Sequence, residues 1–294
     1  MQTSAKVMRM ENIRIPRIVR ETSRVHRSRG KSVGFVPTMG ALHEGHISLV
    51  RRAKSENDIV VVSIFVNPTQ FGPSEDYLKY PRNTEQDIAL IEKAGADVAF
   101  LPQAEAIYPS GFLTKIEVSA LSEKLCGIFR PGHFSGVATV VNKFFNIVQP
   151  NRAYFGQKDF QQTVVLRRMV NDLSMEIEII VCPTVREQDG LAMSSRNAYL
   201  DEAERKAAPV LFRALTQAAS AVRQGETNPE SVVKRMLEML TGEQLVREVQ
   251  YAGIYDMTTL DALKEFQKTN LLAIALKLGN TRLIDNMVVE RQNG

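Results

Sequence analysis

Apolar residues are patterned differently in the two parts of this chain. Up to about residue 183, short, mostly apolar blocks alternate with longer stretches in which apolar residues recur every three or four positions. The blocks are KSVGFVP (31–37), IVVVSIFV (59–66), DVAFLP (97–102), RAYFG (152–156) and MEIEIIVCP (175–183). A run such as IVVVSIFV, apolar throughout rather than alternating, predicts a strand covered on both faces of a parallel sheet. The stretches between the blocks, at 47–57, 84–94, 137–148 and 160–173, predict helices. Repeated strand–helix units of this length predict an α/β fold, a Rossmann-like doubly wound parallel sheet with right-handed crossovers. Beyond 184 the pattern changes. A loop, TVREQDGLAMSSRN (184–197), precedes what reads as one long helix, with Ala203, Ala207, Val210, Leu211, Ala214, Leu215, Ala218 and Val222 on a single stripe. Asn228 followed by Pro229 marks a helix start, a capping side chain and then a proline at the first helical position. REVQYAGIYD (247–256) and NLLAIALKLG (270–279) read as strands, followed by TRLIDNMVV (281–289). Two domains are expected, 1–184 and a smaller α+β domain at 185–294. A boundary inside a motif-rich loop suggests a site that both domains share.

Composition narrows the class. The 294 residues are 44% hydrophobic and 24% charged, which excludes a disordered, collagen-like or disulfide-stapled chain. The net charge of +4 comes without a dense basic block, so no nucleic-acid partner is expected, and it suits a protein that handles small anions. Two cysteines, Cys126 and Cys182, make no disulfide framework and fit a reducing cytosol. The apolar runs at 59–66 and 271–276 fall short of the ~18–20 residues of a spanning helix, so no membrane partner is expected. Arg17, Arg20, Arg24 and Arg27 read as a solvated helix face, and Glu11 and Glu21 oppose a transit peptide. The expected location is the cytoplasm.

Four strings carry candidate chemistry. In VPTMGALHEGH (36–46) a strand ends, a glycine-bearing turn follows, and His43 and His46 stand at a helix start, three residues apart on one side. Backbone N–H groups and the positive helix end are expected to face a phosphate there. Gly40 and Gly45 have P-loop spacing, but His46 and Ile47 stand where that motif needs Lys and Ser or Thr, so a standard P-loop is excluded. Half of a metal site and a pair of structural histidines remain as alternatives; HExxH is absent, and His26 and His133 sit in no ligand pattern. VNPTQFG (66–72) places the neutral amides of Asn67 and Gln70 after a buried strand, where open α/β sheets bind ligands. YFGQKDFQQ (154–162) brings Gly156, Lys158, Asp159 and Gln162 to another strand–helix junction. GLAMSSRN (190–197) offers two hydroxyls and a guanidinium as a phosphate clamp, or else a polar linker.

An HxGH helix start with a later Ser/Arg-rich loop resembles the paired signature elements of class I aminoacyl-tRNA synthetases and other adenylyl-transferring enzymes. PTMGALHEGH, VVVSIFVNPTQFGPSEDYLKYPR, RPGHFSGVATVV, AYFGQKDFQQ, DGLAMSSRNAYL and RLIDN, in order from about 34 to 287, resemble the pantoate–β-alanine ligase family more specifically. The resemblance implies ligation of pantoate and β-alanine through pantoyl adenylate, with ATP split to AMP and pyrophosphate and Mg²⁺ accompanying ATP. It implies that Met39, Gly40, Ala41, Leu42, His43, Glu44, Gly45 and His46 form an ATP-binding turn, with His46 the catalytic histidine. His43 and Lys158 join it in stabilising charge. Gly156, Gln157, Lys158, Asp159, Val185, Met193, Ser194, Ser195 and Arg196 are implied to bind ATP, and Gln70 and Gln162 to hold pantoate, Gln70 also lying by β-alanine. Arg130 and His133 are placed in the same pocket. No protein metal site is expected, the phosphate oxygens ranking ahead of Asp87 as ligands of the ion. A homodimer is implied, as is a C-terminal lid that keeps water from the adenylate. A nucleotidyltransferase acting on a phosphate and a nucleotide-sensing protein without catalysis are the competing readings.

Overall fold

A computed structural model describes residues 10–73 and 75–291. Residues 1–9 and 292–294 of the two expected domains, and Ser74 of the NPTQFGPSEDY string, lie outside the described residues. The chain divides into two compact units, the first made of residues up to 117, 135–155 and 169–182, the second of 118–134, 156–168 and 183 onward.

The first unit carries a six-stranded sheet of β1 (Glu11–Ile13), β2 (Val33–Thr38), β3 (Ile59–Ile64), β4 (Val98–Phe100), β5 (Arg152–Gly156) and β6 (Glu178–Cys182). The strand order is β1-β4-β3-β2-β5-β6, and β1–β4, β4–β3, β3–β2 and β2–β5 pair in parallel. Helices α1 (Pro16–Ser28), α2 (Glu44–Glu56), α3 (Thr84–Lys93) and the one-turn α4 (Ala104–Ile107) connect the early strands. Val36, Val60, Val62 and Ala99 pack with Ile47, Val50, Ala53 and Ile91 of α2 and α3. The alternate residues Phe35 and Phe100 meet Phe144 edge to face. Two covered faces are why the 59–62 run is apolar without alternation, every residue of 59–63 being buried. The arginines of α1 are exposed, the solvated face that their spacing predicts. Strand order reverses between β2 and β5, the switch point outside which such sheets bind ligands.

The second unit holds an antiparallel sheet of β7 (Val246–Tyr255), β8 (Thr269–Leu278) and β9 (Thr281–Glu290), with β8 central. Helices α5 (Cys126–Phe129), α6 (His133–Val148, mostly in the first unit), α7 (Phe160–Asp172), α8 (Glu202–Ala207), α9 (Val210–Arg223) and α10 (Pro229–Thr241) complete the chain. Ala214, Leu215, Ala218 and Val222 of α9 and Val232, Met236 and Leu240 of α10 bury against Leu272, Ile274 and Leu276 of β8. The expected single helix over 203–222 is two helices. Pro209 has no N–H to offer the preceding turn and its ring crowds the carbonyl four residues back, so α8 stops and α9 restarts with Pro209 as its cap; Ala203 is exposed rather than on the stripe.

The second unit also takes in two segments that precede residue 184. Gln161 accepts a hydrogen bond from the Cys126 N–H (3.0 Å) and donates to the carbonyls of Leu121 (2.8 Å) and Lys124 (2.7 Å). Leu125, Phe160 and Val164 pack with Tyr255, Leu260, Leu271 and Ala273.

Candidate active site

In the first unit β2 ends in the turn that leads to α2. Gly40 (φ +84°) and Ala41 (φ +50°) both take left-handed backbone, and a Cβ at Gly40 would stand 2.9 Å from the Asp87 carboxylate, so only glycine fits there. Asp87, in the first turn of α3, accepts from the N–H groups of Ala41 (2.9 Å) and Leu42 (2.8 Å). These two N–H groups are thus engaged by the chain's own carboxylate. Burial pushes the Asp87 carboxyl up, against the two N–H bonds that pull it down.

His43 is the N-cap of α2, and its Nδ1 accepts from the Gly45 N–H (3.2 Å). His46 Nδ1 in turn accepts from the His43 N–H (3.4 Å). With both Nδ1 atoms accepting, the neutral rings carry their proton on Nε2. The rings lie 4.1 Å apart, so the sequence reading of a paired imidazole face holds in the fold. Glu44 pairs with Arg51 on the same helix.

After β3, Asn67 caps a single 3-10 turn, Pro68–Gln70, whose last residue is Gln70, and both Asn67 and Gln70 are buried. Asn67 Nδ2 donates to Gln70 Oε1 (3.1 Å) and to the Gly136 carbonyl (3.1 Å). Gln70 Nε2 points at the Met39 sulfur (3.0 Å).

The second unit contains a pocket open to solvent. Of the residues expected at the site, Lys158, Asp159, Gln162, Ser194 and Arg196 line it, together with Arg130 and His133. Gln157, Val185, Met193 and Ser195 are not on its wall, nor is Gly156, where a Cβ would meet open space. Val185 and Met193 face each other in a hairpin, the Met193 N–H donating to the Val185 carbonyl (3.0 Å). The cationic side chains make this wall suited to phosphate.

Several functional candidates escape sequence reasoning. Asn286, on β9, donates to the carbonyls of Gln157 (2.9 Å) and Lys158 (2.9 Å) and so pins the turn that carries Lys158. Its neighbour Asp285, 3% exposed, forms a two-pronged pair with Arg186 (2.6 and 3.0 Å). Burial raises the Asp285 carboxyl, and Arg186 opposes the rise. Arg282 lines the cavity and donates to Gln250 (2.7 Å) and to the Cys126 sulfur (3.2 Å). RLIDN is the one sequence signal that touches these residues, and its spacing alone assigns them no role.

The family model for pantoate-β-alanine ligase matches residues 11–288. A pantothenate synthetase of Thermodesulfovibrio yellowstonii is 61% identical over 281 residues, 96% of this chain and 100% of that protein. The crystal structure of pantothenate synthetase from Thermus thermophilus superposes with a TM-score of 0.90 at 45% identity, over 95% of this chain and 99% of that one. A pantoate-β-alanine ligase from Francisella tularensis, solved with β-γ ATP and β-alanine, gives a TM-score of 0.76 at 37% identity over 95% and 97% of the two chains. A parallel sheet with an HEGH helix start, an antiparallel second unit and a match along nearly the whole length have one common reading: the chain belongs to the pantoate–β-alanine ligase family.

Proposed function

We propose that this chain joins pantoate to β-alanine with ATP, through pantoyl adenylate. The observation that carries the reading is the HEGH helix start, where backbone bonds to both Nδ1 atoms put the ring protons of His43 and His46 on Nε2. A pantoate carboxylate oxygen attacks the α-phosphorus and pyrophosphate leaves. The β-alanine nitrogen, having lost a proton to solvent, then attacks the acyl carbon; its C–N bond forms as the bond to AMP breaks, and the second proton follows to solvent. No covalent enzyme intermediate is needed, so positioning and charge stabilisation are the catalysis. His46, His43 and Lys158 are the groups assigned to the charge that grows on phosphorus and pyrophosphate. Residues 39–46, with Gly156, Gln157, Asp159, Val185, Met193, Ser194, Ser195 and Arg196, are assigned to ATP, and Gln70 and Gln162 to pantoate.

Mg²⁺ belongs to the substrate, entering with ATP. Asp87, the carboxylate ranked behind the phosphate oxygens as a ligand of the ion, is engaged by the N–H groups of Ala41 and Leu42. The reading extends to a cytoplasmic homodimer with small-molecule substrates and no nucleic-acid partner. No helix among the described residues is long and apolar enough to cross a membrane.

Exchange of labelled pyrophosphate into ATP, with pantoate present and β-alanine absent, tests the intermediate. Pantoate-dependent exchange is expected. Without it, adding β-alanine and assaying AMP separates a trapped pyrophosphate from a wrong substrate, and absence of AMP would sink the reading. Gln162→Ala is expected to weaken pantoate use far more than ATP binding; equal loss of both would remove Gln162 from its assigned place.

A further inference from the structure

Gln70 can turn either a carbonyl or an NH₂ edge towards a ligand, and the two edges recognise opposite partners. Its orientation is set by Asn67. A flipped Asn67 would bring its NH₂ against the Thr69 N–H (3.4 Å from Oδ1) and its oxygen against the Gly136 carbonyl (3.1 Å from Nδ2), a donor against a donor and an acceptor against an acceptor. The Gly136 carbonyl comes this close because α6 packs tightly on the turn: a Cβ at Gly136 would stand 2.3 Å from the Thr69 oxygen. The shortest bond to Asn67 is from outside the turn, the Tyr108 hydroxyl donating to Oδ1 at 2.8 Å, with Thr69 Oγ1 adding a second at 3.0 Å.

We propose that Tyr108 is a positioning residue for the acid substrate: through Asn67 it holds the Gln70 amide with its carbonyl turned inward and its NH₂ edge towards the ligand. One acceptor at that edge is a thioether, Met39 Sδ, a weak one that a carboxylate or hydroxyl oxygen of a hydroxy acid outcompetes. Gln70 therefore serves as a donor. The phenol is held by packing: its ring lies 5.2 Å from Phe112, edge to face, and 6.4 Å from Phe65. The Lys143 ammonium sits over Phe112 at 4.3 Å and near the Tyr108 ring at 5.8 Å. Burial raises the Tyr108 hydroxyl, so it remains a donor across the working range of pH.

The proposal rests on pantoate being the acid that Gln70 holds, and wild-type enzyme tests that separately, since a chain that does not ligate pantoate fails before any variant is made. Tyr108→Phe keeps the ring and removes the hydroxyl. The KM for pantoate is expected to rise about tenfold, the scale of one hydrogen bond, while the KM values for ATP and β-alanine stay within about twofold. In a Gln70→Ala background the same substitution should leave the pantoate KM unchanged, because the relay has no end. An unaltered pantoate KM in Tyr108→Phe, or an equal rise in the Gln70→Ala background, would overturn the proposal. Thr69→Val, which spares the aromatic packing, is a second reading of the relay: a smaller rise in the pantoate KM supports it, and no rise overturns it.

Discussion

In the first unit Gln70 and the 39–46 turn are held by amides, backbone groups, a phenol and one carboxylate. In the second, Lys158, Ser194 and Arg196 sit in a frame of ion pairs, Arg186 with Asp285 and Arg205 with Glu187 and Asp189. For Gln70 and for the Lys158 wall, the difference follows what each is proposed to hold, pantoate in one case and triphosphate in the other. A hydroxy acid is recognised by direction, which fixed neutral dipoles provide without strong charge. Triphosphate is recognised by charge, and a wall with Arg130, Lys158, Arg196 and Arg282 must itself be anchored by acids nearby. Neutral bonds respond little to salt and acid, whereas an ionic frame responds to both.

The largest expected effect strikes the ionic frame. Asp285→Ala leaves the Arg186 guanidinium, whose side chain is 19% exposed, without a counter-charge and with only the Gly190 and Asn286 carbonyls to accept from it, and should cost about 3–5 kcal/mol in denaturant unfolding. A loss under about 1 kcal/mol would mean that the pair does not anchor the second unit. His46→Ala comes next and strikes the other unit: turnover should fall by on the order of 10²–10³ with the fold intact, the scale of one preorganised donor. Near-normal turnover would remove His46 from its role. Asn286→Ala strands two carbonyls, at about 1–3 kcal/mol each if they stay dry, and should slow turnover as the Lys158 turn loosens; calorimetry alongside kinetics reads both.

Acid should separate the units. The Arg205 bond holds the Asp189 carboxyl down, and the Thr259 N–H does the same for Asp256. Their contribution to stability is present above the ordinary carboxylate value of about 3.9 and is lost as pH falls through their lowered values. Asp87 runs the other way: burial raises it, so its contribution is complete below about 3.9 and is given up as pH rises through its raised value. Hydrogen-exchange protection at 256–261 should drop as pH falls below about 3.9, before that of the Asp87-held turn, and the opposite order would erase the contrast. The smallest effect belongs to Arg205→Ala. Its side chain is 32% exposed, so less than about 1 kcal/mol is expected, fading with added salt in a melting series.

Local physics made much of this legible. Asn228 and Pro229 cap and open α10, IVVVS runs buried between two helical layers, and His43 caps α2, because each depends on neighbours within four positions or on plain burial. What escaped depends on distant segments meeting. Asp87 reaches back 46 positions to Ala41, Tyr108 reaches 41 to Asn67 and Asn286 reaches 128 to Lys158. No periodicity registers such meetings, and a lone Asp in a helix's first turn looks like an ordinary dipole partner. The Pro209 break is visible in the sequence, yet the apolar stripe on both sides masks it.

The bond from Asn286 to the Lys158 carbonyl also sets an order of events during synthesis. The turn after β5 leaves the ribosome 128 residues before the side chain that fixes it, which at about 5–20 residues per second is a wait of roughly 6–25 seconds. Throughout that interval the nascent chain carries its histidines and its lysine but not the clamp. A polypeptide released before Asn286 therefore lacks a fixed Lys158 turn, and prematurely terminated products are poorly equipped to split nucleotide without a useful outcome.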